Sequence, residues 1–258
     1  MKTSHFFGQI LSICMIAAAS SCIMPADAGH PKTITIPVER DYSELSVSSA
    51  ISVTWSDTAS ALHLTAGEKI IDRVLVERTG QKLKIYIKTP VNTNGSIEVV
   101  LPSSDRLEEV SLSGASSFTS EILLRAPGME LDLSGASVFK ADLDIAGKLE
   151  ADCSGASSVK GNVKAGSLSL DLSGASSAKL SGEAGKTDLE ISGASSLNAL
   201  STPLVTSDTD CEISGASHAR IHCTGILAGE LSGASSLRYG NGALAVRVSC
   251  TGASSLME

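Results

Sequence analysis

The sequence predicts an all-β protein: a right-handed parallel β-helix (β-solenoid) with rungs of about 19–20 residues marked by Ser-Gly-Ala-Ser corners. Three observations predict it. First, Ser-Gly-Ala-Ser occurs seven times, at Ser113–Ser116, Ser134–Ser137, Ser154–Ser157, Ser173–Ser176, Ser192–Ser195, Ser214–Ser217 and Ser232–Ser235, and Thr251–Ser254 changes only the first residue. Second, the central glycines Gly114, Gly135, Gly155, Gly174, Gly193, Gly215, Gly233 and Gly252 are spaced by 21, 20, 19, 19, 22, 18 and 19 residues. A near-constant period is the signature of stacked repeats. Third, the residues around each glycine alternate with the period of a strand that buries one face. A helical repeat needs apolar runs of about 10–12 residues at a 3.6 period, and a unit this short and rich in Gly and Ser holds none. The right hand is expected because parallel crossovers overwhelmingly take it.

Aligning the copies on the glycine gives the cross-section. Two residues before it stand Leu112, Leu133, Cys153, Leu172, Ile191, Ile213, Leu231 and Cys250, all apolar. Four before it stand Val110, Leu131, Ala151, Leu170, Leu189, Cys211, Gly229 and Val248. Between these columns runs a polar one: Ser111, Asp132, Asp152, Asp171, Glu190, Glu212, Glu230 and Ser249. After the corner comes an apolar column (Phe118, Phe139, Val159, Ala178, Leu197, Ala219, Leu237, Leu256), then a largely basic one with Lys140, Lys160, Lys179, Arg220 and Arg238. Each copy is therefore a strand, a narrow corner and a second strand. A glycine in every corner points to a backbone conformation or approach closed to a Cβ.

In chain order, residues 1–28 read as an export signal, with a basic Lys2 and an apolar Phe6–Ala19 too short to span a bilayer. Two processing readings compete. Ala26-Asp27-Ala28 forms an A-x-A cleavage site. Ala19-Ser20-Ser21-Cys22 forms a lipoprotein box that would end the leader at residue 21 and lipidate Cys22. Residues 33–105 form an N-terminal β region. Its strands carry Ile34, Ile36 and Val38; then Leu45 to Trp55, read as one alternating run through Ser49; then Leu62 and Leu64; Val74 and Val76; Leu83, Ile85 and Ile87; and Ile97, Val99 and Leu101. Thr79-Gly80-Gln81 and Asn92–Gly95 are turns. The reading favours one β body, with a change of character near Pro102–Asp105. Residues 106–258 carry the regular repeats, with loops expected at Arg125–Met129 and Ser201–Asp208.

Composition narrows the function. The net charge of −8 disfavours nucleic acid and anionic membrane surfaces. Aromatics are only 3%, so Leu, Ile, Val and Ala must build the core. Of the cysteines beyond the leader, Cys153 and Cys250 lie too many rungs apart to bridge. Cys211 and Cys223 could bridge neighbouring faces, or all four are small buried hydrophobes. His218 and His222 match no zinc spacing. Gly-Ala-Ser recurs too often to be a nucleophile elbow, which is a single strained site.

The candidate interaction surface is the acidic ladder Asp132, Asp152, Asp171, Glu190, Glu212 and Glu230. Carboxylates stacked at about 5 Å repel one another and call for water, counter-ions or basic neighbours; the basic column is expected to offset part of the repulsion. The hydroxyl column Ser113 to Thr251 is assigned to bonding the backbone at the corner. No catalytic residue, metal site or cofactor is expected.

The leader, the alternating β region, the serial Ser-Gly-Ala-Ser copies and Tyr239-Gly240 together resemble an exported bacterial family, the autotransporter-adhesin head, GIN-domain family. The resemblance covers roughly Ile36 to Ser255, although the tripeptide Gly-Ile-Asn does not occur. It implies an exported β-helical protein and brings no catalytic residues. The expected function is a non-enzymatic cell-envelope or secreted adhesion module, located in the periplasm, on the outer membrane surface or outside the cell. Its partner would be a surface protein or glycan, and a membrane would be met only through a lipid on Cys22. The alternatives are a polysaccharide-active enzyme on a β-helix and a calcium-binding envelope scaffold.

Overall fold

A computed structural model describes residues 27–88, 95–240 and 242–258. Residues 1–26 of the leader, Cys22 among them, and most of the Asn92–Gly95 turn lie outside these residues. The protein is a β-solenoid of about 7 turns, and its described residues include one short 3-10 turn, Ile71–Arg73.

Each corner joins two parallel ladders. Face A, before the corner, stacks Lys82–Ile87, Glu44–Val47, Glu109–Leu112 and Met129–Leu133 in that order. It continues through the last parts of Leu143–Cys153, Ser158–Leu172 and Ser177–Ile191. Thr209–Ile213, Ile226–Leu231 and Ala245–Cys250 complete it. Face B, after the corner, runs from Ile97–Pro102 and Ile51–Ser56 through Ser117–Ser120 and Val138–Lys140. It ends at His218–Cys223, Ser236–Tyr239 and Ser255–Met257. A third ladder, face C, returns each turn from B to A, with Leu124, Leu143, Val163, Gly182 and Leu204 in register.

The chain does not stack its first segments in sequence order. Lys82–Ile87 and Ile97–Pro102 pair with the outer side of the 44–56 turn, while Glu109–Leu112 and Ser117–Ser120 pair with its inner side. Antiparallel strands finish this end: Leu62–Gly67 pairs with Ile97–Pro102, Pro31–Ile36 pairs with Leu62–Gly67, and Val74–Thr79 pairs with Lys82–Ile87.

The core follows the inward columns. Leu45, Val110, Leu131, Leu170 and Leu189 are buried along face A, and Val53, Phe118, Phe139, Val159 and Leu197 along face B. Phe118 and Phe139, in register, stack with ring centroids 5.1 Å apart, an aromatic pair worth about 0.5–1.5 kcal/mol beyond its area. Small residues follow them in the column, as at Ala178 and Ala219, which keeps the interior narrow.

Three expectations need correction. The run from Leu45 to Trp55 is two strands, because the chain turns a corner at Ser48–Ala50, where Ser49 and Ala50 have φ of 74° and 59°. The Ser201–Asp208 insert is not a loop throughout: Ser196–Thr206 is one strand, and its register jumps from Ala199 to Leu204 opposite Leu180 and Gly182. Pro203 falls inside this jump, where a ladder hydrogen bond is not required of it. Leu124–Ala126 likewise carries strand into the Arg125–Met129 insert.

Candidate functional site

The corner sets the geometry of the site. Each Ser-Gly-Ala-Ser glycine has φ near 71–75°, the left-handed region where a Cβ clashes with the following carbonyl. Stacking excludes a side chain a second time: a Cβ on Gly135 would lie 2.4 Å from the Gly114 carbonyl oxygen, and one on Gly193 equally close to that of Gly174. Those carbonyls accept hydrogen bonds from the alanine of the next turn, as Ala136 N–H to Gly114 O at 2.6 Å and Ala194 N–H to Gly174 O at 2.7 Å. The corner is thus a backbone ladder of its own.

The two serines of the motif divide the work differently from the sequence expectation. The fourth residue is the structural one. Ser137, Ser157 and Ser176 are fully buried and donate their hydroxyls to the carbonyls of Ser134, Ser154 and Ser173, three residues back, at 2.7–2.8 Å. The first serine is exposed or half-buried, and its hydroxyl makes only long backbone contacts, as Ser154 to Leu133 O and Ser173 to Cys153 O at 3.4 Å.

That leaves the first serines facing the acidic ladder. Ser111, Asp132, Asp152, Asp171, Glu190, Glu212, Glu230 and Ser249 are consecutive Cα partners along face A. All six candidate residues therefore stand in one row. A groove of about 500 Å³ runs between the acids and the corner, lined by Asp132, Asp152 and Asp171 on one side and Ser113, Ser134 and Ser154 on the other. A second stretch of about 270 Å³ shares Asp171 and Ser173 with it and continues past Glu190, Glu212 and Glu230, with Ser192, Ser214 and Ser232 opposite. Together they form one trough of carboxylates and hydroxyls along the regular turns.

Face A carries a second acidic row that the sequence reading missed. Two residues upstream, Glu44, Glu109, Glu130, Glu150, Ser169, Asp188, Asp210, Ala228 and Arg247 are in register. Its signal lay one column further from the glycine, interrupted by Ser169 and Ala228. Lys82 closes the row at one end, 3.1 Å from both Glu44 and Glu109. Lys148 and Lys186 flank Glu150 and Asp188 at 2.7 and 3.6 Å.

Crowding is felt where the rows are densest. Burial, and then the carboxylates of Asp132, Glu109 and Glu150, holds Glu130 above the usual carboxylate range. Burial and Glu109 raise Asp132 against the opposing pull of Lys82. Burial, Asp171 and Glu150 raise Asp152.

The basic column does not neutralise the ladder. Lys140, Lys160 and Lys179 are in register on face B, beyond the corner, as are Arg220 and Arg238. Among the described residues no ion pair joins any of these five to an acid, or any of the six ladder acids to a base. Nor does any group of three or more His, Cys, Asp and Glu among the described residues converge as a metal site would require. Cys153, Cys211 and Cys223 are free and buried, whereas Cys250, expected to be buried, is exposed on the last turn. His222 packs against Gly240 rather than beside a second ligand.

A separate groove of about 490 Å³ opens at the N-terminal end, lined mainly by Ile36, Pro37, Val38, Ala61, Val76 and Leu83. Among the described residues no helix is long and apolar enough to cross a membrane.

Comparison with known proteins places this architecture. No curated protein matches the sequence. Solved structures share the fold. One is a putative lipid binding protein from Parabacteroides distasonis, 21% identical, TM-score 0.75, covering 90% of this chain and 98% of its own. Another is a putative adhesin from the same species, 20% identical, TM-score 0.74, covering 90% and 100%. A putative adhesin from Parabacteroides merdae is 18% identical, TM-score 0.75, covering 90% and 98%. The sequence model of the family described as putative auto-transporter adhesin, head GIN domain, matches residues 41–243, most of the chain. The chain belongs to this adhesin-head GIN-domain family.

Proposed function

We propose that the protein is a non-enzymatic adhesion module of the cell envelope, exported to the periplasm, the outer membrane surface or the medium, and that it meets its partner along the acidic trough. The family description and the adhesin names of related structures support an adhesion role, and none of these names is that of an enzyme. One observation carries the assignment to the trough: an unbroken row of six carboxylates opposite a row of half-free serine hydroxyls, with no ion pair to any of the six among the described residues. A rigid stack presents such a row as an extended contact surface without moving parts. Hydroxyls and carboxylates in alternation suit the polar groups of a surface protein or a glycan, directly or through calcium. Cys22 would supply a lipid anchor.

The test is a binding screen of the purified chain against glycans and host-matrix proteins, with calcium and with chelator. Saturable binding to one class is expected. A sixfold variant, with Asp132, Asp152 and Asp171 changed to Asn and Glu190, Glu212 and Glu230 to Gln, should lose it. Binding that survives the variant would move the contact surface elsewhere.

A further inference from the structure

The six ladder acids and the five unpaired bases form two rows with the same spacing. In five of the six acid-bearing turns a base follows the acid by eight residues: Asp132 and Lys140, Asp152 and Lys160, Asp171 and Lys179, Glu212 and Arg220, Glu230 and Arg238; in the sixth Asn198 follows Glu190. Both rows are ruled by the same hydrogen-bonded stacking, so both repeat at about 4.8 Å. They point away from each other across the Ser-Gly-Ala-Ser corner and make no ion pair within the chain among the described residues. Four of the five bases are exposed and Lys160 is half-buried. Between the corner and the bases the outward residues are mostly small: Ser158, Ser177, Ser196 and Ser236. Val138 before Lys140 and the exposed His218 before Arg220 are the larger members of this column, so an opposing surface comes closest at Lys160, Lys179 and Arg238.

We propose that the partner of the acidic trough is a second copy of this chain, which lays its face B bases along the face A acids of the first. The inference rests on the reading of the trough as a contact surface and names its occupant. A foreign polycation would satisfy the acids and leave the basic row empty. A second copy satisfies both rows in one contact, and its spacing matches without adjustment because the rungs set both. Aligned turn for turn, five acid–base pairs form. The contact is heterologous, so each added copy exposes a fresh acidic face on one side and a fresh basic face on the other, and association runs past the dimer, into a ring where the rotation closes and a filament where it does not. In cells this makes adhesion between identical molecules on facing or neighbouring surfaces the natural outcome.

Sedimentation velocity on the full chain tests this. At low ionic strength, about 0.01 M, where charges act over roughly 30 Å, the mean sedimentation coefficient should rise with protein concentration. In about 1 M salt, where the range falls to roughly 3 Å, it should return to the monomer value. The sixfold acid variant and a fivefold variant (Lys140, Lys160, Lys179, Arg220 and Arg238 to Gln) should each associate at least tenfold more weakly. Mixed together they should form a one-to-one pair, since one keeps the basic row and the other the acidic row. A chain that stays monomeric at low salt overturns the proposal, as does a mixture no better associated than its components. The salt series on the unmodified chain decides the matter even if a variant folds poorly. If the unmodified chain is monomeric yet binds a glycan or matrix protein through the acids, the trough remains the contact surface and only the self-partner falls.

Discussion

At the first corner Ser49 and Ala50 both take positive φ, 74° and 59°, where every later corner places one glycine at 71–75° and an alanine with ordinary geometry. The two corners are in register, since Val47 pairs with Leu112 and Ser52 with Ser117. They differ in what holds the chain around them. In the first turns, side chains do it. Tyr42 is fully buried, donates its hydroxyl to the Pro102 carbonyl and accepts the Trp55 indole N–H at 3.0 Å. Arg40 donates to the Ser103 carbonyl at 2.7 Å, and Ser104 donates to the Tyr42 carbonyl. In the regular turns the backbone does it, through the glycine carbonyl ladder and the buried fourth serine. A repeat that meets its own image can rely on backbone stacking. An end that meets unlike strands, some of them antiparallel, needs specific side chains.

The largest expected effect tests that division directly. Gly174→Ala puts a Cβ 2.7 Å from the Gly155 carbonyl oxygen at φ +74°. That oxygen is held by the Ala175 N–H at 2.7 Å and cannot step aside without breaking the corner ladder. The left-handed conformation costs about 1–2 kcal/mol for a residue with a Cβ, and forced overpacking about 1–3 more. A loss of roughly 2–5 kcal/mol is expected in urea or thermal unfolding. Gly80→Ala, in the hairpin of the first region, has φ +61° but nothing within 4 Å of the new Cβ. It should cost only the conformational part, about 1–2 kcal/mol. Equal losses at the two sites would mean that the corner ladder contributes no restraint beyond φ.

The contrast also explains what could be read from sequence. The regular turns were legible because a repeat prints its cross-section once per turn: the apolar columns at Leu112 and Val110 mark the interior of face A, and the acids between them mark its outside. The first corner was not, because Ser49 stands where the others have glycine and the alternation of Leu45, Val47, Ile51 and Val53 runs through it unbroken. The placement of Lys82–Ile87 outside the 44–56 turn was not legible either. It depends on which of two sheet edges a later segment joins, and nothing local encodes that choice. The 201–206 segment looks like a loop by its Ser, Thr and Pro, but stacking against the neighbouring turns draws Leu204 and Thr206 into the interior. At the site, the acidic row was visible as a column. The trough was not, because the motif alone does not tell which of its serines is buried.

Acidification should act in opposite directions on the two regions. Glu130, Asp132 and Asp152 are raised in the folded chain by burial and neighbouring carboxylates. The folded state therefore binds more protons than the unfolded one near the carboxylate range. The stability this gives is complete below the unfolded pKa and is lost as pH rises through the folded value. In the first region Asp27 and Asp41 are lowered, chiefly by hydrogen bonds from Lys69 and Arg78. Their contribution is present above the unfolded pKa and is lost as pH falls through the folded one. Asp152→Asn should therefore raise the melting temperature at about pH 7, by a gain within the 0.2–1 kcal/mol typical of facing like charges. As the pH is lowered through the carboxylate range the gain should shrink toward zero, because Asp152, raised in the folded chain, takes up its proton there. A melting temperature lowered by Asp152→Asn at neutral pH would show that the carboxylate makes a favourable contact there, against the ladder repulsion argued above.

An effect of similar size returns to the first corner. Ser49 holds φ 74° with a Cβ, in the conformation that the later corners reserve for glycine. Ser49→Gly removes a conformational cost of about 1–2 kcal/mol. It also adds backbone freedom to the unfolded chain, which takes back roughly 0.5–1 kcal/mol. The net expectation is a gain of about 0.5–1 kcal/mol, read as a rise of a few degrees in melting temperature, about 2–4 °C per kcal/mol for a chain of this size. Ser49→Ala keeps the Cβ and should give no gain. If Ser49→Gly instead destabilises, the serine side chain is holding the corner, and the first turn then depends on side chains even at the one position where the later turns depend on having none.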